Sequence, residues 1–499
     1  MKQQTRLIVF AFVVVLVTSI GPFAQGPPAA SPTENQLRYR LVDVGTFGGP
    51  NSQTNGTSRI MNNFGVVAGM ADSDQLCPQV SGLSPGFVSP AFMWRQGVLT
   101  NIGLLPGGCA SLPVGINERG TIVGVSDNDI IDPQTGTTEI RADMRKNSQI
   151  RDLGTFGGHN GLSADVNNHD IVVGGAENEE PDPFDFGGAV ILGLPSPTAW
   201  QAFAWSAGTL YNLGTLGGPD SFAFFINDLN EINGLSFTNA ISNPTTGLPT
   251  VEPFIWKNGH MRTLGTLGGT MAYVANITNH SEIVGLSDLA GDTVAHAYDW
   301  KPRQGMKDLG VLGGTYSNAA WVNEAGEIVG ASTTANNEAV HAVRWRFGKI
   351  EDLGTVAGLS CSVTAQINVR GQIAGESFDC NDPSIGHATL WEPNGRAIDL
   401  NAFLRPGSDL TLFETHFVND RGEIVAVGVL PNGDQHIVVM VPCSESESEN
   451  CRSVRDETAT AQRKSILNAQ PSPLSPESLS AIRARMTYRF RGIPRPSQK

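Results

Sequence analysis

Two markers recur along this chain in a fixed order, and together they restrict its folding more than any other property. The first is the residue ahead of a glycine-rich loop, found at Val44, Ile102, Leu153, Leu213, Leu264, Leu309, Leu353 and, with the glycine lost, Leu400, at intervals of 44 to 60 residues. The second is a polar position occupied by Asn62, Asn117, Asn167, Asn227, Thr278, Asn323, Asn368 and Asn419. Seven residues after each stands Gly69, Gly124, Gly174, Gly234, Gly285, Gly330, Gly375 and, in the last copy, Ala426. Two independent markers with one count and one offset define eight copies of a single unit. A unit this short cannot bury a hydrophobic face alone, so neighbouring copies must stack.

Each copy breaks into four short runs rich in Val, Ile, Phe and Trp and bounded by Gly, Asn or Asp. That pattern reads as strands joined by tight turns rather than as helices. The stretch from His296 to Ser332 shows the runs in order: His296-Ala-Tyr-Asp-Trp300, a run ending Asp308-Leu-Gly310, a run closing on Val322-Asn323, and Gly326-Glu-Ile-Val-Gly-Ala-Ser332. The asparagine and glycine between the third and fourth runs suit a hairpin turn, because both tolerate positive φ. Tryptophan recurs at one position of the first run, as Trp94, Trp205, Trp256, Trp300, Trp345 and Trp391, which predicts a large ring packed between neighbouring sheets. The third copy carries Met144 and Arg145 there, so its first strand is the weakest in pattern.

The ends of the array are complementary. The chain enters at Tyr39 to Val44 with a second strand that lacks a first, and leaves at His436 to Met440 with a first strand that lacks a second. Joining them completes one unit and leaves no open sheet edge. The expected fold is therefore all-β, a repeat array of short four-stranded units closed as an eight-bladed β-propeller over residues 38–442. Ahead of it, residues 1–30 carry Lys2 and Arg6, the apolar run Leu7 to Val17 and a Gly/Pro/Ala-rich stretch, the layout of a secretory signal and linker. Behind it, residues 443–499 turn rich in Ser, Pro and Arg and read as a largely disordered tail.

Export to an oxidising compartment predicts that the six cysteines pair. Cys361 and Cys380 flank strands of one copy, Cys77 and Cys109 occupy matching loops of adjacent copies, and Cys443 lies near Cys451, so these three pairings are expected. The formal charge of −15 argues against a nucleic-acid partner. A monomer without cofactor is expected, with an extracellular polysaccharide or protein as ligand and no membrane span after the signal.

Insertions lengthen the connection after the fourth strand at Asp127 to Arg141, Ala176 to Gln201 and Phe237 to Glu252. In a four-stranded meander this connection and the glycine loop emerge on the same side, so the insertions gather on one face, where a ligand is expected to bind. Asp127, Asp129 and Asp132 follow a fourth strand and would suit a calcium ion, although they do not match the EF-hand spacing, and solvated loop charge is the simpler account. His296, His341, His387 and His436 share one position of the first strand. Were that strand innermost, their imidazoles would line the channel as metal ligands; a repeated hydrogen bond at a turn is the plainer reading. Phosphate-loop, dinucleotide and zinc-protease motifs do not occur. The one Gly-x-Ser-x-Gly, Gly82 to Gly86, puts Pro85 after the serine and so lacks the N–H that would serve an oxyanion.

The first run and the loop that follows it resemble the bacterial extracellular repeats of the HAF family. The run stands as His-Ala-x-x-Trp at His296, His341 and His387, and the Asp-Leu-Gly-Thr-Leu-Gly-Gly type of loop is closest at Asp152 to Gly158 and Asn212 to Gly218. The early copies lack the histidine, and the loop is degraded at Thr355 to Gly358. The resemblance covers nearly everything from Tyr39 to Val441; it implies an exported or surface protein and supplies no catalytic residues. The expected function is a secreted scaffold that binds a glycan, envelope polymer or protein through loops on one face. The alternative is a propeller enzyme, a glycan hydrolase or lyase, drawing acid and base from different blades at the channel mouth.

Overall fold

The computed structural model describes residues 37–443 and 451–453, apart from 57, 84, 85, 188, 189, 191–195 and 245. The expected export signal, Pro85 and most of the C-terminal tail lie outside the described residues.

Strand pairing resolves into eight antiparallel sheets of four strands, numbered one to eight in chain order. Sheet six is typical: Gly313–Val322, Ile328–Thr334, Val340–Arg346 and Lys349–Gly354 follow one another outward. Sheet eight differs, because its outer strand is the first strand of the chain. Arg38–Asp43 pairs antiparallel with Gln435–Pro442, Leu41 lying opposite Met440. The complementary ends read from the sequence therefore meet, and Arg452–Ser453 adds a short edge beyond them.

The identity of the innermost strand removes the metal-arc reading of the histidines. From sheet two to sheet eight the first strands pack one against the next, so these surround the axis. Each begins at or just after the glycine loop, which makes a sheet the third and fourth runs of one copy followed by the first and second runs of the next. The histidine-bearing run is thus third from the axis, and its imidazoles form no arc in the channel. The reason is topological: a periodic sequence has no marked starting point, so ring closure chooses the phase of its sheets.

The recurring asparagine does more than turn the chain. In sheet six, Asn323 Oδ1 accepts from the N–H groups of Ala325 and Glu327 at 3.1 and 3.0 Å, bracing the hairpin. The left-handed residue is the fourth of the turn, Gly326 with φ +75°, not the asparagine. The amide then donates to the same position in the next sheet: Asn62 to Asn117 O, Asn117 to Asn167 O, Asn167 to Asn227 O, Asn227 to Thr278 O, Asn323 to Asn368 O and Asn368 to Asn419 O, at 2.8–3.1 Å. Asn419 returns to Asn62 O at 3.1 Å, so the series comes back to its start. Thr278 has no amide, and Asn276, two residues earlier, bridges to Val322 instead, donating to its carbonyl and accepting its N–H, each at 3.0 Å.

A second ring lies beside the first. The residues following the asparagine position are Asn63, Glu118, Asn168, Asp228, Asn279, Glu324, Val369 and Asp420, so amide and carboxylate alternate but for one valine. Most of these side chains accept the main-chain N–H of the preceding sheet, as Glu118 does from Asn63 at 3.0 Å and Asp420 from Val369 at 3.1 Å.

Between sheets the tryptophans fill the wedge. Trp345 Nε1 donates to Leu309 O and Trp391 Nε1 to Leu353 O, both at 2.9 Å and both across to the preceding sheet. Trp94 and Trp205 are buried, and Trp256 and Trp300 partly so. The glycine seven residues after the asparagine faces a bulge in the inner strand, and a Cβ on Gly330 would overlap Asn318 O. Gly330 has no room for a side chain, whereas the last sheet has Ala426 opposite its own bulge.

Candidate functional site

The inner strand starts, and the second strand ends, on one face of the ring, so the glycine loops and the long connections share it. In sheet one the connection after Val67–Ser73 is tied by Cys77–Cys109 to the loop entering sheet two, with Cα atoms 5.6 Å apart. It is laid on the sheet-two connection by Gln79 Nε2 donating to Asn128 O at 3.2 Å and by Thr138 N donating to Val80 O at 3.0 Å. The sheet-three connection, which follows Val172–Pro181, is anchored by Asp182, whose two oxygens accept from the N–H groups of Phe184 and Phe186 at 2.7 and 2.5 Å. Phe186 then packs edge-on against Phe237 with ring centroids 4.8 Å apart. Between these walls lies a groove of about 600 Å³.

Ile140, Leu162 and Trp200 supply its apolar part, and Gln134, Asn160, Glu177, Asp182 and Ser196 its polar part; among the described residues no lysine or arginine lines it. One oxygen of Glu177 accepts from Ser196 Oγ at 2.6 Å, and the other accepts from Asn160 N and Nδ2 at 2.9 and 3.1 Å. Ser196 Oγ in turn accepts from Trp200 Nε1 at 2.7 Å. Asn160 Nδ2 also reaches Asp132 at 3.2 Å, joining the two walls. Burial pushes the carboxyls of Glu177 and Asp182 up, against the hydrogen bonds that hold them. His159 is shifted up chiefly by its hydrogen bond to Glu139, 2.8 Å from Nδ1. Behind the groove, Asp220 is wholly buried; desolvation and the nearby Asp182 charge push it up to about 8, and its Oδ2 has no hydrogen-bond partner among the described residues.

The calcium candidates read from the sequence are not gathered. Asp127 is buried and accepts from Cys109 N and Ala110 N at 2.7 Å each, Asp129 lies against Gly107, and Asp132 caps its own loop through Gln134 N at 2.8 Å. Among the described residues no group of three His, Cys, Asp or Glu could hold a metal ion. The recurrence of acids toward the end of the second strand has a structural cause: Asp72, Asp127 and Glu177 each accept main-chain N–H groups of the neighbouring glycine loop. Cys361–Cys380 and Cys443–Cys451 are bonded along with Cys77–Cys109, so the three expected pairings are present.

The histidines have partners one strand outward. His296, His341, His387 and His436 each place Nδ1 within 2.8–3.0 Å of an aspartate, namely Asp308, Asp352, Asp399 and Asp43. In sheet two Arg141 replaces the histidine and keeps the aspartate, Asp152, and in sheets three and four both members change, to Gln201 with Asn212 and Glu252 with Thr263. Sequence reasoning expected a repeated hydrogen bond from these histidines but missed its partner, although the spacing of eleven or twelve residues is there to be read. It also missed Asn160, Ser196 and Asp220, which no local motif marks.

No protein-family model matches the chain, and no curated protein matches it in sequence. Among solved structures it is similar to the β-propeller domain of the Trilobed protease from Pyrococcus furiosus, at 8% identity and TM-score 0.42, over 85% of this chain and 100% of that one. It is also similar to TolB from Acinetobacter baumannii, at 10% identity and TM-score 0.31, over 67% and 82%. A third is a polysaccharide lyase, an ulvan lyase, at 12% identity and TM-score 0.36, over 85% and 100%. The strand pairing described above establishes the β-propeller architecture without them.

Proposed function

We propose that this protein is an exported binding scaffold of the HAF type, and that it holds a glycan in the groove between sheets two and three. One observation carries the reading: the groove is walled by the expanded connections of those two sheets, at the place where the repeat departs from its own pattern. A mixed lining of apolar floor and convergent polar groups is the usual make-up of a ligand pocket. Acidic groups without a basic one favour a neutral or amino-bearing glycan over a sulfated or uronate polymer. Three disulfides support export. Among the described residues no helix is long and apolar enough to cross a membrane.

The groove carboxylates favour binding over catalysis. Both oxygens of Glu177 and of Asp182 are already engaged by neighbours within the protein, and the third groove carboxylate, Asp185, accepts from Ser196 N at 2.7 Å, which suits walls that hold shape. The test is affinity electrophoresis of the purified protein in gels cast with neutral, amino-bearing and anionic polysaccharides, with products assayed in parallel. Retention by a neutral or amino polymer is expected, lost in Thr135→Trp, which fills the groove from an exposed position. Product formation would instead identify an enzyme, and retention unchanged by Thr135→Trp would move the site elsewhere.

A further inference from the structure

On the face opposite the long connections, the channel opens into a cavity of about 300 Å³. The second ring forms its rim, so Glu118, Asp228, Glu324 and Asp420 stand at every second sheet around the opening. A carboxylate offers about four acceptor positions, and the main-chain N–H groups of the ring use only part of them. The four are too dispersed to ligate one ion, in keeping with the lack of any metal-holding group among the described residues. Trp321 also lines the cavity, its ring edge-on to Phe225 with centroids 5.7 Å apart. Beside it Gln366 is only 2% exposed, lines the same cavity, and has no hydrogen-bond partner for its Nε2 among the described residues. Arg59 adds a second donor to the lining.

We propose that this cavity is a second binding site and that it takes a neutral sugar residue. Its ligand must donate to dispersed carboxylates, accept from Gln366 and Arg59, and offer a flat apolar side to an indole. Hydroxyl groups both donate and accept, and the C–H face of a pyranose ring packs against aromatic surface. A polyamine would satisfy the rim but leave Gln366 unpaired and oppose Arg59. A uronate would meet four carboxylates at the entrance. The volume is at the lower end of the range of about 300–1,000 Å³ found for small-molecule pockets, which suits one sugar ring or a chain end. The cavity shares no lining residue with the groove on the other face.

The experiment is saturation-transfer NMR on the full chain with D-glucose, D-galactose, D-mannose and L-rhamnose, with D-glucuronate and spermidine as charged probes. Saturable transfer from at least one neutral sugar is expected, and none from glucuronate. Gln366→Met, which keeps the volume, should weaken binding about five-fold, the loss of one hydrogen bond. Thermal stability should not fall, because Nε2 holds nothing among the described residues. Trp321→Leu should weaken binding further, and Thr135→Trp should leave it unchanged, which separates this site from the groove. No transfer from any neutral sugar up to roughly 100 mM, a range that covers the weakest useful affinities, would overturn the proposal. So would affinity insensitive to both Gln366→Met and Trp321→Leu, transfer from glucuronate as strong as from the neutral sugars, or binding of spermidine alone.

Discussion

Sheet two contains a natural experiment in core chemistry. Where sheets one, three, four and five place an aromatic residue opposite the marker glycine and a tryptophan two residues on, as in Phe203 and Trp205 or Phe254 and Trp256, sheet two places Asp143 and Arg145. Both are buried, at 0% and 4% exposure, and they form an ion pair supported by Ser126, whose Oγ donates to Asp143 at 2.6 Å. Burial pushes the Asp143 carboxyl up and the Arg145 guanidinium down, each partly opposed by the charge of the other. Removing one member leaves a bare buried charge, so Asp143→Ala should cost about 3–5 kcal/mol. Replacing both members by well-packed apolar residues is often neutral or stabilising by about 1–4 kcal/mol. Asp143→Phe with Arg145→Trp should therefore equal or exceed the wild type, because the neighbouring sheets show that this geometry accepts the aromatic pair. An unfolding entropy of about 2.1 cal/mol/K per residue over roughly 400 residues makes each kcal/mol worth about 1.2 °C. Calorimetry should thus find Asp143→Ala melting about 4–6 °C low and the double variant at or above wild type. A double variant less stable than Asp143→Ala, or an Asp143→Ala protein within about 1 kcal/mol of wild type, would refute this account of the pair.

Three further outcomes rest on named contacts. His387 is shifted up by its hydrogen bond to Asp399, and Asp399 is shifted down by His387 against its own burial. The histidine contribution is present below its unfolded pKa and lost as pH rises through the raised value; the aspartate contribution is present above its unfolded pKa and lost as pH falls through the lowered value. His387→Ala should therefore destabilise most in mildly acid buffer and least at alkaline pH, as urea titrations at several pH values would show, and an effect independent of pH would contradict the pairing. Asp220, raised to about 8, holds a proton that the unfolded chain releases near pH 4, so wild-type stability falls across that interval. Asp220→Asn should flatten the decline, and thermal melts from about pH 4 to 8 that run parallel for the two proteins would count against a buried neutral carboxyl. Gly330→Ala should cost about 3 kcal/mol or more, since the added methyl cannot avoid Asn318 O without moving the inner strand; a melt unchanged from wild type would show that the bulge yields freely.

Much of the architecture is legible in the sequence because its signals are local or periodic. The count of eight, the strand character and the complementary ends all come from spacing, which survives without three-dimensional knowledge. Two of the cysteine pairs join the start of an inner strand to a connection after a second strand, segments that emerge on one face, and Cys443 and Cys451 are separated by only 8 positions. The sheet phase is not, and with it the place of His296, His341, His387 and His436, because every strand of a repeat is preceded and followed by the others. In the sequence Arg145 is a break in the pattern of the third copy; only its burial beside Asp143 shows that an ion pair fills the tryptophan position.

Spacing alone therefore dictates the unit, its number and its joining ends, because short strands and tight turns obey rules that act within a few residues and then repeat. Packing in three dimensions settles the rest: which strand faces the axis, which acids hold loops rather than ligands, and which cavities exist. The rims and walls of both cavities assemble residues remote in sequence, as when Asn63 Nδ2 meets Asp420 at 2.9 Å across 357 positions. Such meetings depend on bringing the ends of the array together, a cooperative property of all eight sheets at once that no single copy encodes.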